Sequence, residues 1–272
     1  MDLHKPKPWH GLREFLKEYV IIVVGVLTAL GAEQGAEWLH WQHQVEVARQ
    51  SLTFDMTRTL AWDGAQQAVT PCVGARLDEI EKLLEQAQTT GRLPDVGHIP
   101  RLGRASWVLR SWSALTYGQV LGHMSNREQI SLSGLALAVE GANKSAVQLS
   151  EQWETLRAMG GPARQISREE VAALRRAVYD AREQANGLRV SAERIETFAL
   201  QTELLPRAQL EAARTDGIQA IGRMVMSGPL CKPIPRDFTP GGDENSATLA
   251  APIRSFGGGD MDVMGLRNEA LK

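Results

Sequence analysis

No formal charge interrupts the chain between Glu18 and Glu33, and the fourteen positions between them are rich in Val, Ile and Leu. As a helix rising 1.5 Å per residue this run is about 21 Å long, short of a hydrocarbon core of about 30 Å. Length alone fits three readings: a membrane anchor, the apolar region of a cleaved signal peptide, or a buried core helix. The flanks lengthen the apolar face from Phe15 and Leu16 through Ala36, Trp38 and Leu39, which gives an anchor over residues 19–39. Lys17 and Glu18 can then snorkel at one boundary. Trp9, Tyr19, Trp38 and Trp41 fall near the two interfaces, where amphipathic rings are favoured.

Beyond the anchor the pattern is helical, and no segment alternates with the period of a strand. Trp38, Trp41, Val45, Ala48, Leu52, Thr59 and Trp62 follow one another at helical spacing, with a step at Asp55 where neighbouring Met56 supplies the apolar group. This predicts a long helix leaving the membrane and ending no later than Pro71. A second helix carries Val73, Leu77, Ile80, Leu84 and Ala87 and stops at Thr89-Thr90-Gly91. After a Pro/Gly loop, a third is expected from about Arg104 to Met124, with Trp107, Val108, Trp112, Leu115 and Val120 as core candidates. Ser125 or Asn126 caps a fourth helix that runs to about Ala158 and is broken at Gly160-Gly161-Pro162. Ser167 and Glu170 have the spacing of a capping box, opening a fifth that extends toward Leu205, and a last helix follows Pro206 to about Met226. From Ser227 onward frequent Pro and Gly break every period, so residues 227–272 read as a disordered tail. The expected fold is all-α: a cytoplasmic stretch 1–18, the anchor 19–39, and an exported antiparallel helical bundle over 40–226.

Charge fixes an orientation for the anchor. Lys5, Lys7, Arg13 and Lys17 precede the apolar run, and the next Lys or Arg is Arg49. The N-terminus is therefore expected in the cytoplasm and the bundle across a bacterial inner membrane, in the periplasm. Ala29-Leu30-Gly31 supplies the small-x-small pattern of a cleavage site, although Glu14 and Glu18 are foreign to a basic leader. Over the whole chain, 30 Lys and Arg against 32 Asp and Glu leave a formal charge of -2. That balance lacks the positive excess that phosphate backbones demand and argues against nucleic acid as a partner.

Gly25, Ala29, Ala32 and Ala36 recur four, three and four residues apart. Small residues on one face let helix backbones approach closely in lipid, so this stripe is the candidate surface for pairing with a protein partner or a second copy. Cys72 and Cys231 are the two cysteines of the chain. They are too few for a zinc cluster, but they can form one long-range disulfide if the bundle faces an oxidising compartment.

Motifs that would carry chemistry do not survive scrutiny. Glu37, His40 and His43 bring carboxylate and imidazole onto neighbouring turns, but a di-metal bundle also needs a second Glu-x-x-His, which the chain lacks. Gly241-Gly242-Asp243-Glu244 imitates a cyclase signature, yet Asn245 replaces the aromatic that should follow and the setting is a Pro/Gly-rich tail. His98 and His123 read as loop and helix-end groups. There is no nucleophile elbow, phosphate-binding Gly loop or haem attachment site. No cofactor is expected, and the chain does not read as an enzyme.

Two segments carry a resemblance. The run from Glu18 to Leu30, EYVIIVVGVLTAL, with Trp38 beyond it, resembles the anchor of an uncharacterised family of bacterial single-pass membrane proteins. In that family an acidic residue precedes a Val/Ile-rich run ending in Gly-x-Leu-x-Ala-Leu. The run from Trp112 to Ile130, WSALTYGQVLGHMSNREQI, is similar to the family's Gly-x-Leu-x-x-Ile-x-Asn-x-Glu-Leu segment, with Val120 and Ile130 replacing the two outer Leu. The resemblance implies an anchor with an exported helical domain and brings no activity or functional residues with it. The leading expectation is a membrane-anchored partner-binding or envelope-assembly protein. A small-ligand sensor with a pocket near Trp107, Trp112 and Trp153 is the alternative, and a metal-dependent enzyme comes third.

Overall fold

A computed structural model describes residues 11–102 and 106–239. Among these the fold is all-α, with five α-helices and one two-residue strand pair. Helix α1 (Leu12–Thr90) forms both the projecting N-terminal arm and one wall of the bundle. A return segment follows, containing β1 (Arg92–Leu93), α2 (Arg110–Tyr117) and a 3-10 turn over Val120–His123. Then come α3 (Asn126–Arg157), β2 (Arg164–Gln165), α4 (Arg168–Gln201), α5 (Arg207–Ser227) and a 3-10 turn at Pro229–Cys231.

The chief difference from the sequence expectation is that α1 does not stop at Pro71 but continues to Thr90. Proline there removes one backbone hydrogen bond, yet its ring lies on the exposed side while Val69, Cys72 and Val73 around it are buried. Packing on both sides of the proline outweighs the local cost of about 3 kcal/mol. The helix ends at Gly91, whose φ of 67° lies in the left-handed region and whose N–H donates to the Ala87 carbonyl. An L side chain is disfavoured in that conformation, so glycine is the fitting stop.

Helix α4 runs back along α1, with Arg182 pairing with Asp78 and Glu81 and, farther along, the Thr202 hydroxyl approaching Met56. It is also antiparallel to α3, because Gly134 lies against Phe198 and Gly187 against Ser145. Helix α5 starts beside the Met56 end and leads to Cys231, which is bonded to Cys72, so it runs parallel to α1 and departs from a purely antiparallel bundle. Buried Leu77, Ile80, Leu84, Leu135, Trp153, Leu156, Leu174 and Ile195 form the main core. A smaller cluster of Val45, Leu52, Leu115, Met124 and Leu132 closes the end nearest the N-terminal arm.

The expected third helix from Arg104 is reduced to α2 and a short 3-10 turn. Residues 106–109 form no helix, and polar side chains of the bundle hold backbone groups of the segment leading to α2. Asn143 accepts from the Trp107 N–H at 3.1 Å and donates to the Trp107 carbonyl at 2.8 Å. The Trp153 indole donates to the Pro100 carbonyl and Arg157 to that of Ile99. Buried backbone groups need partners, and here they find side chains instead of a helix of their own.

Two further boundaries differ. Helix α4 ends at Gln201 instead of extending to Leu205. The chain also stays packed past Ser227, with Leu230 and Ile234 buried and the Gly97 N–H donating to the Pro235 carbonyl at 2.7 Å. The disulfide and these two apolar residues hold a stretch that composition alone marks as tail. The remainder, 240–272 with Gly241 to Glu244, lies outside the described residues, as does Trp9.

Candidate functional site

Among the described residues, the start of α1 as far as Leu39 stands clear of the bundle and is exposed almost throughout. Phe15, Leu16, Tyr19, Ile21, Ile22, Val24, Leu27 and Leu30 are all strongly exposed, and continuous burial begins only near Val45. From Leu12 to Gln44 this arm is about 50 Å long, and residues 19–39 cover about 31 Å of it, matching a hydrocarbon core. It is the described helix long and apolar enough to cross a membrane, and none of its most apolar window is buried. A row of apolar side chains this long is costly to leave in water.

The sequence-predicted residues of the arm fall as follows. Gly25, Ala29, Ala32 and Ala36 are exposed along one face, and nothing among the described residues outside its own helix backbone comes within 4 Å of where a Gly25 side chain would begin. Tyr19 and Trp38 are 58% and 61% exposed. Trp41 is partly covered: its ring stacks on His123 of the 3-10 turn, with centroids 3.9 Å apart and planes 13° from parallel. The turn therefore braces α1 where the arm meets the bundle. Glu37, His40 and His43 lie on the arm, and among the described residues no group of three or more His, Cys, Asp or Glu is placed to hold a metal.

Just above the arm, a cleft of about 440 Å³ lies between α1, the start of α3 and the α4–α5 connection. Its lining includes Arg49, Thr53, Arg127, Glu128, Thr202 and Glu203. Glu128 does two things there. It closes a capping box with Ser125 at the head of α3, and it receives Arg49 through both oxygens at 2.9 and 3.2 Å. Burial pushes the Glu128 carboxyl up, but Arg49 and Ser125 together hold it below the usual carboxylate range. At Ser167 the capping arrangement is only half formed: the Ser167 hydroxyl accepts from the Glu170 N–H, while the Glu170 carboxylate turns to Arg164.

Farther along α1 Cys72 is joined to Cys231 in a disulfide. Nearby, Glu79 pairs with Arg76 and accepts the Ile234 N–H at 3.1 Å, so covalent and polar contacts clamp the same stretch. Trp107 and Trp153 fill the core, and Trp112 packs partly buried against the smaller cluster.

Sequence reasoning missed the polar groups inside the bundle. Asp55 is buried and anchors Ser111, while Asp63 is fully buried beside Gln67, Arg214 and Glu196. The available signal was a carboxylate on a core-facing helical position, one turn from Leu52 or Thr59. No protein-family model, curated protein or solved structure matches the chain.

Proposed function

We propose that this chain is a single-pass membrane protein whose helical bundle stands in the periplasm of a bacterial envelope and engages a protein partner there or through the anchor. The observation that carries the reading is the bare apolar arm of α1, about as long as a bilayer is thick and continuous with the bundle. Two features support the orientation. Basic residues cluster before the apolar run, and the Cys72–Cys231 disulfide suits an oxidising compartment.

Partner engagement draws support from surfaces the bundle leaves open. Ile130 and Leu137, seven residues apart on α3, are 62% and 69% exposed, and the small-residue stripe of the anchor is uncovered. The test is fractionation of cells expressing the full chain. Retention in membranes after alkaline carbonate, with the bundle digested by protease in spheroplasts but not in intact cells, is the expected result. Release by carbonate, or a mature N-terminus beginning near Gly31, would overturn it. For pairing through the anchor, Ala29→Ile should weaken membrane oligomerisation, and unchanged crosslinking would exclude that face.

A small-ligand sensor is the second reading, favoured by the cleft above the arm with its mixed guanidinium, carboxylate and hydroxyl lining. A polar ligand there would raise the thermal midpoint of the protein, and Arg49→Ala would remove that rise. The absence of any stabiliser in a broad screen of polar metabolites would count against it.

A further inference from the structure

Helices α1 and α5 approach closely where Gly64 faces the Arg214 carbonyl and Gly217 faces the Ala61 carbonyl. Beside this crossing lies a row of polar side chains that apolar packing does not explain. Asp63 is 0% exposed. One of its oxygens accepts from Gln67 at 3.3 Å, and the other has no hydrogen-bond partner among the described residues. Gln67 in turn accepts from Arg214 of α5 at 2.6 Å, and Arg214 pairs with Glu196 of α4 at 3.2 Å. One turn before Asp63, the Thr59 hydroxyl is also buried and unpartnered among the described residues.

The charges in this row do not balance. Two carboxylates, Asp63 and Glu196, share one guanidinium, and Arg214 gives its two terminal nitrogens to Glu196 and Gln67 while its Nε has no hydrogen-bond partner among the described residues. Asp63 is reached only through the neutral Gln67 amide. A carboxylate buried without a direct cation favours its neutral form, and a single proton would balance the cluster.

We propose that the cluster of Asp63, Gln67, Glu196 and Arg214 is a proton-operated latch, which seats α5 on α1 when Asp63 is protonated and loosens it when the proton leaves. Burial pushes the Asp63 carboxyl up to about 7, with Glu196 adding to the rise and Arg214 and Gln67 opposing it. Because the folded value lies above the ordinary one, the stabilisation is complete in acid and is lost as pH climbs through about 7. The charged groups acting on Asp63 are Arg214 from α5 and Glu196 from α4, with the neutral Gln67 amide from its own helix. The disulfide ties the chain just after α5 to α1, and a five-residue connection ties its start to α4. Loosening is therefore the breathing of a tethered helix beside the cleft that Thr202 and Glu203 line.

The test is hydrogen exchange of the full-length protein in detergent micelles at about pH 5.5 and pH 8.5, corrected for intrinsic chemistry. Amides of residues 207–220 should exchange at least about tenfold faster at the higher pH, while those of α3 keep their protection. Asp63→Asn, which mimics the neutral acid, should abolish the difference. Glu196→Gln removes the repelling carboxylate, so Asp63 should deprotonate more readily and the transition should move to lower pH; it serves if the first variant does not fold. Equal protection of α5 at both pH values, or a pH response that persists unchanged in both variants, would overturn the latch.

Discussion

One oxygen of Asp55 accepts both the backbone N–H and the hydroxyl of Ser111, at 2.7 and 2.8 Å. The contact joins α1 to the first turn of α2 across 56 positions of sequence. Helix α2 has no side-chain cap of its own at Leu109, so a buried carboxylate on another helix satisfies its first exposed donors. Asp55→Ala should lower stability by about 2 to 4 kcal/mol, since it removes two hydrogen bonds to a charged acceptor. Ser111→Ala keeps the backbone donor and should cost only about 1 kcal/mol. Urea unfolding followed by tryptophan fluorescence measures both, and equal losses would show that the backbone bond contributes nothing.

Glycine positions on α1 and α5 should respond in opposite ways to alanine. At Gly64 the new methyl would strike the Arg214 carbonyl, and at Gly217 that of Ala61, both rigid backbone. Gly64→Ala and Gly217→Ala should each destabilise by about 1 to 3 kcal/mol by forcing α1 and α5 apart. Gly25 has open space around it, and Gly25→Ala should be neutral or favour the helix by up to about 1 kcal/mol. Thermal midpoints of the three variants in one detergent make the comparison.

How far the sequence announces this structure depends on which force shapes each element. The Val45, Leu52, Thr59 and Trp62 face is periodic, and all four are buried where that spacing puts them. Ser125 caps α3 because its partner lies three residues away, within reach of local reading. Pro71 misleads because its local cost is outweighed by tertiary packing that no short window contains. The segment from Trp107 to Leu109 misleads likewise, since Asn143 lies 36 positions from the backbone it holds. The candidate site divides in the same way. The arm is legible from composition, whereas the Asp63 cluster assembles residues from three helices, and its one local sign is a carboxylate on a core-facing position that does not announce its partners.

Removing the Cys72–Cys231 bond tests what holds the chain beyond α5. The bond spans 159 positions, and chain entropy alone assigns such a loop about 5 kcal/mol. Replacing both cysteines with alanine should therefore lower the unfolding free energy by several kcal/mol, and reductant should do nothing further to that variant. Leu230 and Ile234 should then become accessible, because the polar tethers left on this stretch among the described residues are the Glu79 contact to the Ile234 N–H and the Gly97 N–H contact to the Pro235 carbonyl. Limited proteolysis between residues 228 and 239, with and without reductant, reads this directly.

The pH dependence of stability should show two opposing arms. Asp63 has its folded value raised from 3.8 to about 7, so its contribution is fully present below about pH 4 and declines as pH rises through 7. The shift corresponds to on the order of 4 kcal/mol across that interval. Glu128 is held below its ordinary 4.5 by Arg49 and Ser125 despite its burial, so its contribution is present above that value and is lost as pH falls through the lower folded one. Thermal midpoints should therefore rise as pH is lowered from about 8 toward 5 and fall again below about 4. Asp63→Asn should flatten the first arm and leave the second, while Glu128→Gln should blunt the acid arm and leave the neutral one. If the midpoint instead rises steadily from pH 5 to 8 in the unaltered protein, Asp63 is ionised in the folded state throughout, and Arg214 neutralises it more effectively than its contacts to Gln67 and Glu196 imply.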